Sequence, residues 1–230
     1  MTSSGTYAYN PSLGELTLYA FNLCGIRSTE LEQAHFESAR MAANMLLSRW
    51  SNQGVNLWAV SQVTTALVQG TTTYTVDPSV VMVLDAYITT GTTGTTTEID
   101  RIIMPISRTE YASYPNKQQQ GFPTTYWFDR LLSPTITLWP VPDGSETSLV
   151  YYCVKQLQDA AFTSGQTLNI PYLWLEAFAY GLAQRLATIW APTMAIGLKP
   201  LADESYQIAA DQNTEYVQVY ISPMVSGYFS

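Results

Sequence analysis

The chain has 230 residues, 47% of them hydrophobic and 12% charged, with a formal net charge of −8. That balance excludes intrinsic disorder over most of the length, which needs low hydrophobicity and high charge. It also excludes a grip on nucleic acid, which needs clustered Lys and Arg to displace phosphate counterions.

Soluble chains average about 25% charged residues, so the low content here implies that partners cover much of the surface. The first ten residues, MTSSGTYAYN, are small and polar with interspersed Tyr. They read as an arm and show no signal-peptide pattern. Pro11 and Ser12 open a first helix to about Cys24, with Leu13, Leu16, Ala20, Leu23 and Cys24 at helical spacing and Gly25 as its stop. Thr29 with Glu32 fits a capping box for a second helix, and Gly54 ends it. That helix carries two stripes. One is Leu31, Ala34, Ser38, Met41, Met45 and Arg49; the other is Ala39, Ala42, Ala43, Leu46 and Trp50. It is expected to pack on two sides, inside the subunit and near a neighbouring one.

From Leu57 to Lys155, Thr, Val, Ile and Tyr dominate and turn residues recur about every ten positions. Strands are predicted near Val63–Val68, Thr73–Val76, Val80–Thr90, Glu98–Met104, Thr125–Arg130, Thr135–Trp139 and Leu149–Lys155. Gly91–Thr97 (GTTGTTT) forms a polar hairpin tip. Ser107 with Glu110 caps a short helix that ends before Pro115. The last strand is apolar at both alternations (Leu149, Tyr151, Cys153; Val150, Tyr152, Val154) and should be covered on both faces. Pro171 starts a further helix with Trp174, Leu175, Phe178, Leu182, Leu186 and Ile189 inward. Pro192 stops it. Pro200 starts the last helix, to about Glu215, with Leu201, Ile208 and Ala209 inward. Tyr216–Ser230 is an uncharged, aromatic tail. The expected fold is α+β in a single domain of residues 1–230: a helical bundle from 11–54 and 171–215, a β-rich subdomain at 57–155 inserted between them, and an extended C-terminal tail at 216–230.

The chemistry of catalysis is sparse. His35 is the sole histidine, so any Ser-His-Asp or Cys-His triad must use it; a packed or interface histidine is the simpler reading. Cys24 and Cys153 are expected to be reduced and buried. There is no CxxC, HxH or HExxH, no P-loop and no GxGxxG, so neither metal nor cofactor is expected. Glu98 with Asp100, Asp143 with Glu146, and Asp203 with Glu204 would serve glycoside hydrolysis only if paired in a cleft; each reads as a solvated turn or helix surface. Arg101, Arg108, Lys117, Arg130, Lys155, Arg185 and Lys199 are scattered, so Tyr126, Trp127, Phe128 and Trp139 read as core and interface rather than as a base-stacking track. No apolar run reaches the 18 or so residues of a membrane span.

The order of motifs resembles a known family. A short helix carries Leu16, Ala20 and Ile26. A long helix runs from Ala43 through Trp50 to Gly54, Leu57 and Trp58. Tyr74 and Val76 follow, then SRTEY at Ser107–Tyr111. Next come Lys117, Gly121-Phe122-Pro123-Thr124 and SPTITLWPVPD at Ser133–Asp143. The pairs Leu182-Ala183 and Leu186-Ala187 lie in a Pro-initiated helix, and a final helix ends at Glu215 before a YxxxYxSP-like tail. Over residues 11–225 this is similar to the head-to-tail adaptor (head-completion) proteins of short-tailed double-stranded DNA phages. The long GTTGTTT tip and the first ten residues depart from that pattern.

The resemblance implies a structural virion protein, not an enzyme, without catalytic, cofactor or metal residues. It implies a homo-oligomeric ring, a dodecamer, that is assembled in the host cytoplasm and sits at the head–tail junction under the portal. The ring extends the channel for double-stranded DNA, which passes without specific binding, and provides a platform for the tail nozzle. The bundle forms the ring wall. Portal contacts are expected at Tyr216, Val217, Val219, Tyr220, Ile221, Pro223, Met224, Tyr228 and Phe229, and subunit contacts at Met41, Met45, Trp50 and Trp58. A tail-associated cell-wall hydrolase and another virion accessory protein stand as alternatives.

Overall fold

A computed structural model of the chain describes residues 5–6, 9–53, 57–91 and 94–214. The portal-contact residues expected in the tail, the helix stop at Gly54 and the centre of the GTTGTTT tip lie outside the described residues.

Ser12 caps helix α1 (Leu13–Leu23) through a reciprocal box: the Glu15 N–H donates to Ser12 Oγ, and Ser12 N–H donates to Glu15 Oε2 at 2.8 Å. A single 3-10 turn, Ser28–Glu30, precedes α2 (Gln33–Asn52). The capping box expected at Thr29 and Glu32 is replaced: Glu32 N–H donates to His35 Nδ1 at 3.1 Å, so the histidine fills the place that Glu usually takes. The sheet follows, with β1 (Val60–Ala66), β2 (Thr73–Thr75), β3 (Val80–Thr90) and β4 (Ile99–Pro105), then the short helix α3 (Arg108–Ser113), then β5 (Thr125–Asp129), β6 (Thr135–Trp139) and β7 (Glu146–Lys155). Pro171 caps a 3-10 turn leading into α4 (Leu175–Trp190), and α5 (Pro192–Asp211) closes the described chain.

The strands form one curled sheet in the order β1-β7-β3-β4-β5-β6-β2. Every pairing is antiparallel except β4 with β5, which meet in parallel at Met104↔Thr125 and Pro105↔Tyr126. Register shifts in β3 against β7, between Val80 and Met82 and again between Val83 and Asp85, bend the long central strands. Curling encloses a core of Ile88, Ile103, Tyr126, Ile136, Leu138, Leu149 and Tyr151. Strand β7 is buried at most positions of both faces, but Tyr152 is 40% exposed, so cover on its second face is incomplete.

A second core joins helices from both chain ends. α1, α2 and α5 pack against α4, burying Leu13, Phe21, Leu46, Trp50, Phe178, Leu182 and Leu186 among others. A Cβ on Gly181 would stand 3.0 Å from Leu46 Cδ2, so this glycine sets the approach of α2 to α4. The last helix departs from expectation. It begins at Pro192, at its first position, and runs through Pro200 without a break. Pro200 removes one helical hydrogen bond, but Leu198 is buried beside it and holds the first turns on the core. The inward face of α5 is Leu198, Ser205 and Ala209. Leu201 and Ile208, expected inward, are exposed, as is Ile189 of α4. Small residues on the inner face bring α5 close to α4 and turn its larger side chains outward.

The loop returning from β7 to α4 is fixed by two amide side chains. Asn44 Nδ2 donates to the Ala160 carbonyl at 2.9 Å, and Ala160 N–H donates to Asn44 Oδ1 at 2.8 Å. Gln166 Oε1 accepts from Ala161 and Phe162 N–H, and its Nε2 donates to the Asp159 carbonyl. Between these clasps Phe162 sits at φ 60° and packs its ring against the helical core.

Candidate interaction surfaces

Residues capable of chemistry are dispersed. His35 stacks on Trp190 at 4.0 Å and meets Phe21 edge-on at 5.6 Å, so it joins α1, the start of α2 and the end of α4. Cys24 is buried in the helical core with its Sγ donating to the Ala183 carbonyl, while Cys153 is buried in the sheet core. Both are free thiols in different cores. Burial pushes the Cys24 thiol up to about 11, which makes it a poor nucleophile near neutrality.

The acidic groups considered for hydrolysis serve turns, pair across strands or lie exposed on a helix. Glu98 accepts from Gly94 N–H, Asp100 from the Thr89 hydroxyl, and Asp143 from Ser145 N–H. The two bonds from Ser145 hold Asp143 below the usual carboxylate range. Glu146 is buried, with Oε2 accepting from Gly144 N–H and Oε1 without a partner. Asp203 and Glu204 are exposed on α5. Among the described residues no three His, Cys, Asp or Glu groups come together in a way that could hold a metal ion, and no helix is long and apolar enough to cross a membrane.

What the fold does assemble is exposed apolar surface. On α2 the stripe of Ala39, Ala42, Ala43, Leu46 and Trp50 is buried inside the subunit, whereas Met41 and Met45 are 67% and 58% exposed. Two of the expected subunit contacts therefore face inward. Trp50 is buried against Trp174, Phe178 and Tyr206, and Trp58 is half-buried with its ring 4.6 Å from Trp174. Their aromatic character serves the junction of α2, α4, α5 and the approach to β1.

A second apolar surface lies between α1, α4 and α5. It is a groove of about 550 Å³ lined by Tyr9, Tyr19, Tyr172, Leu173 and Ile208, with Glu15 and Glu176 at its edges. A third is the far side of the sheet, where Ile102 and Met104 of β4 and Leu131 and Leu132 of the β5–β6 turn are exposed. The groove was hidden from sequence reasoning because its residues come from four separate segments; the outward rotation of Ile208 is its only local sign. By contrast, Tyr111 stacks on Trp127 and Tyr114 on Trp139, the two tyrosines meet edge-on, and Lys117 Nζ lies 5.7 Å from the Tyr111 ring centre. Their faces are occupied in pinning α3 to the sheet.

No curated protein matches the chain. The sequence profile of the SU10 adaptor protein family, however, matches residues 28–219. That match leaves out only the N-terminal arm, the first helix with the turn after it, and the end of the tail, and the chain belongs to the SU10 adaptor protein family, structural adaptors of bacteriophages.

Proposed function

We propose that the chain is the head-to-tail adaptor of a short-tailed phage, a ring of twelve copies seated under the portal at the head–tail junction. The ring extends the DNA channel and offers the tail nozzle its docking platform. The helices from both chain ends form a bundle that serves as the ring wall, and the tail at 216–230 reaches the portal. Subunits meet before or during assembly in the host cytoplasm. The observation that carries this reading is the unfilled apolar surface on the helices: Met41 and Met45 on one side, and Tyr172, Leu173 and Ile208 on another, all stand exposed. Contiguous apolar patches of this kind mark interaction sites. DNA is conducted and not held, because a chain of net charge −8 gives phosphates little to bind.

Light scattering of the full chain, alone and with the virus's portal ring, tests the proposal. A portal-bound complex holding many adaptor copies is expected, as is its loss when the chain is truncated from Val217 while remaining folded. A chain that stays monomeric with the portal present, or a truncated chain that binds it normally, contradicts the reading.

A further inference from the structure

The exposed stripe of α2 does not end in apolar residues. One turn beyond Met45, on the same stripe, stands Arg49, and beside it Arg185 of α4 lines a small cleft of about 50 Å³ floored by Leu46, Trp50 and Gly181. Burial, with the neighbouring Arg49 charge, holds Arg185 below the usual guanidinium value. Among the described residues neither guanidinium has a hydrogen-bond or ion-pair partner, and Asp203 lies on the cleft wall without pairing to either. Two close, unpaired cations are unusual in a chain with 18 carboxylates and 10 cations, because like charges at short range repel and desolvation adds to the cost.

The groove between α1, α4 and α5 has the opposite character. Its aromatic and aliphatic walls are flanked by Glu15 and Glu176, both exposed. Glu15 uses Oε2 for the Ser12 cap, which leaves Oε1 free to accept. The groove and the α2 stripe have no residue in common. A contact between two different faces of identical subunits is heterologous and closes into a ring when its rotation permits; a self-complementary face gives only a dimer.

We propose that the occupant of the groove is a second copy of this chain: Met41 and Met45 of one subunit seat between Tyr19, Tyr172, Leu173 and Ile208 of the next, and Arg49 with Arg185 pairs with Glu176 and Glu15 across the contact. This assignment rests on the ring proposed above and adds the two faces that build it. Methionine suits the role, since its flexible thioether fills an irregular aromatic groove. The charges set register and direction, because the reversed approach would bring Glu37, one turn before Met41 on α2, against the acidic edges of the groove.

The test is cross-linking of the full chain. Met45→Cys, Leu173→Cys and the double variant are assembled with the portal ring and treated with a short bismaleimide; the native thiols are buried in separate cores. The double variant is expected to give a ladder of covalent trimers and larger species, and each single variant none. Dimers from Met45→Cys alone would show α2 meeting α2 and overturn the proposal. So would the absence of a ladder in a sample that sedimentation shows to be multimeric, and that outcome leaves the ring reading standing. A chain that remains monomeric throughout refutes both. A second measurement uses charge. Arg49→Glu and Glu176→Arg should each reduce assembly at least tenfold, and the two mixed or combined should recover most of it. No recovery beyond the sum of the single effects overturns the pairing.

Discussion

Replacing Asn44 by Ala removes the clasp between α2 and the loop that leaves the sheet. Asn44 exchanges two hydrogen bonds with Ala160, at 2.9 and 2.8 Å, and Ala160 is 1% exposed. Asn44 is itself only half-buried, so water re-pairs part of what its truncation frees. Leaving a buried donor or acceptor unsatisfied costs about 1–3 kcal/mol each, and with partial re-pairing by water the two together should cost roughly 2–4 kcal/mol. In a chain of this size that corresponds to a fall in Tm of about 4–16 °C. Asn44→Asp keeps the acceptor for Ala160 N–H but sets a carboxylate against the Ala160 carbonyl, so it should be no better than Ala. Gln33→Ala is the control: its bond to Glu37 lies on an exposed helix surface and should be worth less than about 0.5 kcal/mol. Thermal unfolding followed by circular dichroism, with urea midpoints alongside, measures all three. If Asn44→Ala unfolds within a degree of Gln33→Ala, the clasp does not hold the loop and the accounting of buried groups is wrong.

His35→Phe retains the stack on Trp190 and loses the cap at Glu32, so it should cost about 1 kcal/mol in a melting experiment, while His35→Ala loses the ring contacts as well and should cost about 2–3 kcal/mol. The Cys24 thiol, raised by burial from 9.0 to about 11, is neutral in the folded chain at a pH where the unfolded chain ionises. Its contribution to stability is therefore complete below pH 9 and is lost between about 9 and 11; denaturant midpoints across that range, compared with Cys24→Ala, should converge, and parallel curves would refute the assignment. Met41→Asp and Met45→Asp place a carboxylate in solvent within the single subunit, so each should leave Tm within the effect of about 0.5 kcal/mol while reducing assembly in light scattering. Fluorescence anisotropy near 150 mM salt should give a Kd for duplex DNA of about 10⁻⁴ M or weaker, and micromolar binding would mean that the basic residues gather on one face.

The β region was the most legible part of the chain. Turn residues such as Gly70, Gly91 and Gly144, each at positive φ, punctuate it, and a Cβ on Gly91 would stand within 2.5 Å of the Thr97 carbonyl oxygen. Local backbone constraints of this kind are written residue by residue. The strand order was not, because the connection through α3 lets β5 return parallel to β4, a choice that no local pattern records. The helices show the complementary limit. Periodicity located the α2 stripes, but it could not say which one the subunit would bury; Gly181 on α4 selects Leu46 and its small neighbours. For α5, proline reads as a start, yet one helix runs across Pro200 with Leu198 buried beside it and Ile208 facing outward. Trp50 and Trp58 read as interface because aromatic residues serve surfaces and cores equally well; within the subunit both rings lie against Trp174.

In the proposed assembly the exposed helical surfaces are covered by further copies in a ring under the portal. Electron microscopy of the full chain assembled on its portal ring tests it most directly. A closed ring of twelve subunits, with the α2 stripe of each facing the groove between α1, α4 and α5 of the next and an open channel along the axis, is the predicted result. A map with isolated subunits on the portal, or with both surfaces open to solvent in the assembled particle, would contradict it.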